Sequence, residues 1–238
     1  METKAVIFDK DGTVLDFDSF WIPVTTGAAE LILQKLGCTQ VPLKEVMEAM
    51  GCKDGVVSVT AAMCSGTYGD MAEKMNEVLE KYGAACDLER LTQLMEQAHC
   101  DRIEAGVIAP ACENITSVME QLKDSGAILV LVTADGKEMT ERCLKGLGIF
   151  DDFSLIYTDD GTHPNKPDPY CIHAVQKKYG LRSEQIVMVG DSPKDMEFAR
   201  NGNVRGIAVA KTEESRQMLL QMTDTVVPDI SFLPEVLT

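Results

Sequence analysis

The sequence predicts an α/β protein: a doubly wound, mostly parallel sheet with a small all-helical domain inserted after the first strand. Two observations carry this expectation. From residue 107 onward, short apolar runs rich in β-branched residues alternate with helical patterns, the signature of strand–helix–strand units with right-handed crossovers. Between residues 16 and 106, by contrast, helical patterns follow one another with almost nothing that reads as a strand.

The first strand is the run Lys-Ala-Val-Ile-Phe at 4–8, apolar enough to be buried on both faces and closed by Asp9-Lys10-Asp11-Gly12-Thr13. Helical spacing then covers 28–36, 71–82 and 88–103, the last with Leu91, Leu94, Met95 and Ala98 on one face. Breaks at Gly37, Gly51, Gly55, Gly66, Gly69 and Gly83 separate the helices. The methionines of this stretch (Met47, Met50, Met63, Met71, Met75, Met95) suit core gaps. The expected division is therefore 1–15 with 107–238 as the α/β core and 16–106 as the helical domain.

In the second part of the core, Pro110 suits the first turn of a helix, and Ile115, Val118, Met119 and Leu122 form its apolar stripe before Gly126. A strand at 127–132 ends at Thr133, and a helix spans 137–147. A strand at 153–157, a loop to Lys166 and a helix at 169–179 follow. The strand 186–189 ends in Gly190-Asp191. A short helix from Pro193, a strand at 206–210, a helix at 213–221 and a strand at 225–227 complete the pattern.

Composition narrows the function classes. Hydrophobic residues at 45% and charged residues at 25% describe an ordinary globular protein, not a disordered one. A formal charge of -16 argues against nucleic acid or an anionic membrane as partner, because either requires a basic face. Any phosphate bound here must find its positive charge locally. The chain enters a strand at once, without a charged segment leading an apolar signal core, and it has no long apolar run, so a cytoplasmic location is expected. Eight cysteines without a Cys-x-x-Cys pair fit small core residues in a reducing compartment. His99, His163 and His173 show no ligand spacing.

The polar residues at strand ends are the candidates for chemistry, since open parallel sheets bind ligands at the carboxyl ends of their strands. Asp9 and Asp11 occupy such an end, although Asp and Gly are also what a solvated turn uses. A calcium loop counted from Asp9 would need glycine at position six and glutamate at twelve; the chain has Val14 and Phe20. Thr133, Lys166 and Asp191 fall at or just after later strand ends. Local structure accounts for some of their neighbours. Asp135 with Glu138 fits a capping box, Asp168 fits an N-cap before Pro169, and Ser192 fits an N-cap with Asp195 at the third helical position. No such role explains Asp191.

Taken together, Asp9-Lys10-Asp11-Gly12-Thr13, Thr133, Lys166-Pro167-Asp168-Pro169 and Gly190-Asp191-Ser192-Pro193-Lys194-Asp195 resemble the four motifs of the haloacid dehalogenase-like superfamily of phosphohydrolases. The resemblance spans essentially the whole chain and is strongest to its phosphoglycolate phosphatase-like branch, in which a helical cap domain is inserted into the Rossmann-like core. It implies a Mg2+-dependent phosphatase acting on a small-molecule phosphate monoester. Asp9 would be the nucleophile that forms an aspartyl-phosphate, and Asp11 the acid that protonates the leaving oxygen and then the base that activates water. Asp9 and Asp191 would hold Mg2+ through side chains and Asp11 through its backbone carbonyl. Lys166 would neutralise charge on the phosphoryl group and Asp9, with Thr133 and the N–H of Ala134 binding the phosphoryl oxygens. Asp195 would either stand behind the metal or partner Lys166. Phosphate monoesters require accelerations approaching about 10²¹, far more than any one of these devices supplies, so several must act together.

Asp11 counts against dehalogenation, because dehalogenating members of the family usually lack that aspartate. A receiver-type signalling module shares the acidic pocket, Thr and Lys, but carries its phospho-acceptor at the third strand. A β-phosphoglucomutase-like phosphomutase shares core, cap and intermediate and is the nearer alternative. A non-catalytic regulatory role is disfavoured by intact motifs. Substrate choice would fall to the cap. Phe17, Phe20, Trp21 and the loop 51–55 with Lys53 are candidates to close over the leaving group, with hinges near Leu15 and Gly106, although ordinary packing is the better account of all but Lys53, for which the two readings stand level.

Overall fold

The computed structural model describes residues 3–237, apart from the side chain of Ser65. The chain forms two compact units, one comprising the residues up to Asp16 together with those from Ile108 onward, the other Phe17–Val107.

The first unit is organised by β1 (Ala5–Phe8), all four residues of which are inaccessible to solvent. A strand this apolar is stable only with neighbours on both edges and cover on both faces, and each of Val6, Ile7 and Phe8 contributes about 1.5–3 kcal/mol by its burial. In the second unit, α1 (Phe17–Lys35), α2 (Leu43–Met50), β2 (Cys52–Lys53), β3 (Val56–Val57), α3 (Ala62–Ser65), α4 (Tyr68–Lys81) and α5 (Leu88–Arg102) follow. The first unit then resumes with α6 (Ile115–Asp124), β4 (Ile128–Val132), α7 (Lys137–Gly146), β5 (Leu155–Tyr157) and α8 (Tyr170–Tyr179). It ends with β6 (Ile186–Gly190), α9 (Pro193–Asn201), β7 (Arg205–Val209), α10 (Glu213–Leu219), β8 (Val226–Val227) and α11 (Leu233–Val236).

The six-stranded sheet has the order β5-β4-β1-β6-β7-β8 with every pairing parallel. Strand order reverses at β1, the switch point at which doubly wound sheets place their ligands. Phe8 lies level with both Leu131 and Val189, so the residues just beyond β1, β4 and β6 emerge on one rim. Alternation sorts the faces: Ala5, Ile7, Val130, Val132, Ile186 and Met188 share a core with Ile172 and Val175 of α8 and Phe198 of α9.

Two local expectations of this unit change. Residues 109–111 do not open a helix, because the N–H of Asp16 donates to Ala109 O and that of Ala111 to Val14 O, which holds Pro110 in a bridge with Leu15. The helix starts at Ile115, with the expected stripe Ile115, Val118, Met119 and Leu122 buried. Pro169 is the N-cap of α8 instead of its first helical residue, and Asp168 Oδ1 accepts from the N–H of Tyr170 at 2.9 Å.

The second unit is helical except for one hairpin, β2–β3, whose turn residues Asp54 and Gly55 both have positive φ. Asp-Gly is the preferred pair for such a two-residue turn, and that short-range preference sets a strand pair into a helical stretch. α1 begins eleven residues earlier than the apolar spacing at 28–36 and contains Pro23. The six methionines of this stretch all lie in the core of the unit. Thr67 and Asp70 cap α4 reciprocally, and Asp87 Oδ1 accepts from the N–H of Arg90 at the start of α5. Phe20 is buried edge-on to Trp21, while Phe17 and Trp21 pack against the core. Among the described residues no helix is long and apolar enough to cross a membrane.

His99 of α5 is buried in this unit. Its Nδ1–H donates to the Met95 carbonyl at 2.8 Å, which makes Nε2 the acceptor for the Thr25 hydroxyl at 3.1 Å. Burial lowers its pKa and outweighs the opposite pull of the Met95 carbonyl. Because the folded state takes up the proton less readily than the unfolded chain, stability present at neutral pH is lost as pH falls below about 6.5. The thermal-midpoint gap between wild type and His99→Gln, measured by circular dichroism, is expected to narrow by a few degrees between about pH 7.5 and about pH 5.5. A pH-independent gap would show that His99 does not titrate on folding.

Candidate active site

Asp9 extends β1 by one ladder bond, its N–H donating to Val189 O at 2.9 Å. The chain then turns back on itself: Val14 and Leu15 both donate to the carbonyl of Lys10, and the Gly12 N–H donates to Leu15 O. Gly12 sits at φ +74°, and a Cβ there would lie 2.0 Å from Asp191 Oδ2. A glycine is therefore required twice over, by the backbone conformation and by the approach of a carboxylate. The same holds sterically at Gly190, where a Cβ would fall 2.4 Å from Asp195 Cγ.

Asp191 follows β6 directly, and α9 begins two residues on. Ser192 caps that helix, accepting from the Asp195 N–H, while Asp195 Oδ2 accepts from the N–H and hydroxyl of Ser192 at 3.1 and 2.6 Å. The other oxygen, Oδ1, accepts from Lys166 Nζ at 2.6 Å. Lys166 also donates to Asp9 Oδ1 at 2.6 Å. Its loop is tied down by the Asp168 N–H donating to Asn165 O and by Asn201 Nδ2 donating to Pro167 O. Three carboxylates, those of Asp9, Asp191 and Asp195, offer oxygens within 4.8 Å of one another.

Thr133 leaves β4 with its N–H on Tyr157 O at 3.0 Å, and its hydroxyl accepts from the Asp135 N–H at 3.2 Å. Ala134 beside it is exposed. Asp135 does not cap α7; Gly136 is the N-cap and makes no side-chain cap, and Glu138 is exposed. Asp135 Oδ2 instead lies 2.9 Å from Lys10 Nζ, which also donates to Asp11 Oδ1 at 2.9 Å. The long-range ion pair displaces the local capping pattern. Lys10 is 0% exposed, a position that sequence reasoning passed over, since a lysine between two aspartates reads as solvated.

The electrostatics follow from crowding. Burial pushes Asp9 up to about 7; Lys166 pulls it down, while Asp195 and Asp11 push it up again. Burial, and then the charges of Asp9 and Asp195, hold Asp191 well above the usual carboxylate range. For Lys166 burial alone would depress the ammonium, yet Asp195 and Asp9 together keep its pKa above the ordinary lysine value. Lys10 behaves in the same way between Asp11 and Asp135. One shared ammonium cannot neutralise Asp9, Asp191 and Asp195 at neutral pH. The residues fit a hard, oxygen-preferring dication, which would bring the raised carboxylates back toward ionisation.

The rim thus joins Asp9, Lys166, Asp191 and Asp195 in one cluster, with Asp11 linked through Lys10 to Asp135 and with Thr133 at the next strand end. In Gly12→Ala the methyl group must displace Asp191, whereas Gly37→Ala (φ +68°) meets nothing within 4 Å. Gly37→Ala is expected to cost only the backbone strain of about 1–2 kcal/mol, and Gly12→Ala clearly more, by thermal or urea denaturation. Equal losses would mean that Asp191 yields without cost.

Known proteins share both this sequence pattern and this fold. A family model described as haloacid dehalogenase-like hydrolase matches residues 3–203. A phosphoglycolate phosphatase of Neisseria gonorrhoeae is 28% identical over 98% of this chain and 91% of its own length. Among solved structures, a haloacid dehalogenase-like family hydrolase of Streptococcus pneumoniae superposes with a TM-score of 0.65 at 19% identity, covering 99% of both chains. YfnB of Bacillus subtilis, solved bound to magnesium, superposes with a TM-score of 0.68 at 16% identity over 100% of both chains. At such identities the two structures speak for the fold.

Proposed function

The chain belongs to the haloacid dehalogenase-like hydrolase family, and we propose that it is a phosphatase hydrolysing a small-molecule phosphate monoester, with phosphoglycolate or an ester like it as substrate. The observation that carries this reading is the buried ammonium of Lys166 bridging Asp9 and Asp195 beside Asp191, at the switch point of the sheet. The length and identity of the match to phosphoglycolate phosphatases support the substrate class.

In this mechanism Asp9 attacks phosphorus and forms an aspartyl-phosphate, which divides one difficult displacement into two. Asp11 gives its proton to the ester oxygen as the P–O bond breaks, so that the alcohol departs neutral. It then takes a proton from the water that attacks the aspartyl-phosphate, releasing phosphate and restoring Asp9. Lys166 balances charge on Asp9 and on the phosphoryl oxygens, and Thr133 with the N–H of Ala134 holds those oxygens. Asp195 acts as the partner of Lys166, since both its oxygens are taken, one by Lys166 and the other by Ser192. Asp9 and Asp191 side chains and the Asp11 carbonyl would hold Mg2+, which would supply positive charge to offset that of the nucleophile and the phosphoryl group. A cytoplasmic location belongs to the same reading, supported by eight cysteines, none of them in a disulfide.

A panel of phosphate esters, assayed for phosphate release with Mg2+ or with EDTA, tests the proposal. The wild type is expected to release one phosphate per ester consumed only with Mg2+, and Asp9→Asn to lose at least about 10³-fold in kcat. Undiminished turnover by Asp9→Asn would remove Asp9 as nucleophile. Consumption of a sugar phosphate without phosphate release would replace the hydrolase reading with that of a mutase.

A further inference from the structure

Lys10 carries a charge at a position that the fold alone would fill with an apolar side chain. Only Asp9 separates it from four fully buried apolar residues, and it is itself wholly inaccessible. A buried ion pair is a poor way to stabilise a fold, since desolvating both charges offsets most of their attraction and an apolar replacement is often as stable. The partners of Lys10 are not scattered. Asp11 lies on the turn after β1 and Asp135 on the turn after β4, next to Thr133 and Ala134. Each side chain of these aspartates is about one-fifth exposed, so without a clasp it could rotate toward solvent.

We propose that Lys10 is a positioning residue for the proton-transfer step: its ammonium holds Oδ1 of Asp11 and ties it to Asp135, so that the acid is fixed relative to the strand end carrying Thr133 and Ala134. The inference rests on the phosphatase reading of the site. Lys10 donates N–H to Oδ1 both before and after transfer. The transferred proton leaves the other oxygen of Asp11 for the ester oxygen as the P–O bond breaks, and none leaves Lys10. Proton transfer tolerates little misplacement of the acid, so loosening Asp11 should lower kcat/KM, which reports the steps through P–O cleavage and not the later attack of water, chiefly for substrates whose leaving group needs the proton.

Leaving-group dependence separates this role from a merely structural one. An alkyl ester such as 2-phosphoglycolate must have its alkoxide protonated, whereas p-nitrophenyl phosphate expels a stable phenolate without help. With Mg2+ and the full chain, Lys10→Met is expected to lower kcat/KM for the alkyl ester by about 10²-fold and for the nitrophenyl ester by less than about threefold. Asp11→Asn should lower kcat/KM for the alkyl ester at least as far as Lys10→Met does, and the double variant should be no slower on that ester than Asp11→Asn alone. Asp135→Asn, which breaks the clasp from its other side, should show the split in weaker form. If Lys10→Met fails to fold by circular dichroism, the ratio of the two losses in Asp135→Asn is the deciding measurement. Equal losses on both esters overturn the positioning role while leaving the phosphatase reading intact. A wild type that releases phosphate from neither ester removes the phosphatase reading, and this inference with it.

Discussion

The site depends on one ammonium shared between two carboxylates. Lys166 touches Asp9 and Asp195 at the same distance of 2.6 Å, and without it three crowded acids would repel one another at the rim of the sheet. Other features of the rim serve that contact. Asn201 and the Asn165 carbonyl hold the loop that carries Lys166, the Ser192 cap holds Asp195 facing it, and the missing side chains at Gly12 and Gly190 make room for Asp191 and Asp195. The arrangement remains short of positive charge, and burial together with the neighbouring acids raises the pKa of both Asp9 and Asp191.

A second lysine solves a different problem. Lys166 gathers acids around the place where phosphorus would be attacked, while Lys10 is committed to Asp11 and Asp135 on the turns after β1 and β4. In a chain with a formal charge of -16, two buried cations each clamped between two acids concentrate the scarce positive charge at one edge of one sheet. At that edge the two lysines still face five carboxylates, so the rim is on balance acidic, and a bound dication would be needed to draw in an anionic substrate.

Much of this was legible in the sequence, for identifiable reasons. Strands of a parallel sheet are covered on both faces, so 5–8 and 186–190 stand out as unbroken apolar runs, and the acids that end them stand out in turn. Their convergence follows from topology once the strands are known to be parallel. What escaped was what depends on contacts distant in sequence. Asp135 with Glu138 satisfies a local capping rule, and nothing within four residues reveals that Lys10 will claim Asp135 instead. Pro110 suits a helix start by itself, and only the chain near Leu15 holds it extended. The Asp54-Gly55 turn was readable from its own residues, but the helical periodicity on either side outweighed it.

The placement of β1 has a further consequence for how the molecule is made. The strand that everything else flanks leaves the ribosome well before its neighbours: Ala5 has no edge partner until Ile128 is made and gains its second only with Ile186. Between them the unbroken segment Phe17–Val107, mostly helical and joined by local contacts, can close its own core while β1 waits. During synthesis an apolar tetrapeptide with two open edges therefore precedes a folded body that it does not belong to. Release of the nascent chain before β6 emerges would leave that strand half paired, with Asp9 present but no Lys166–Asp195 contact built around it.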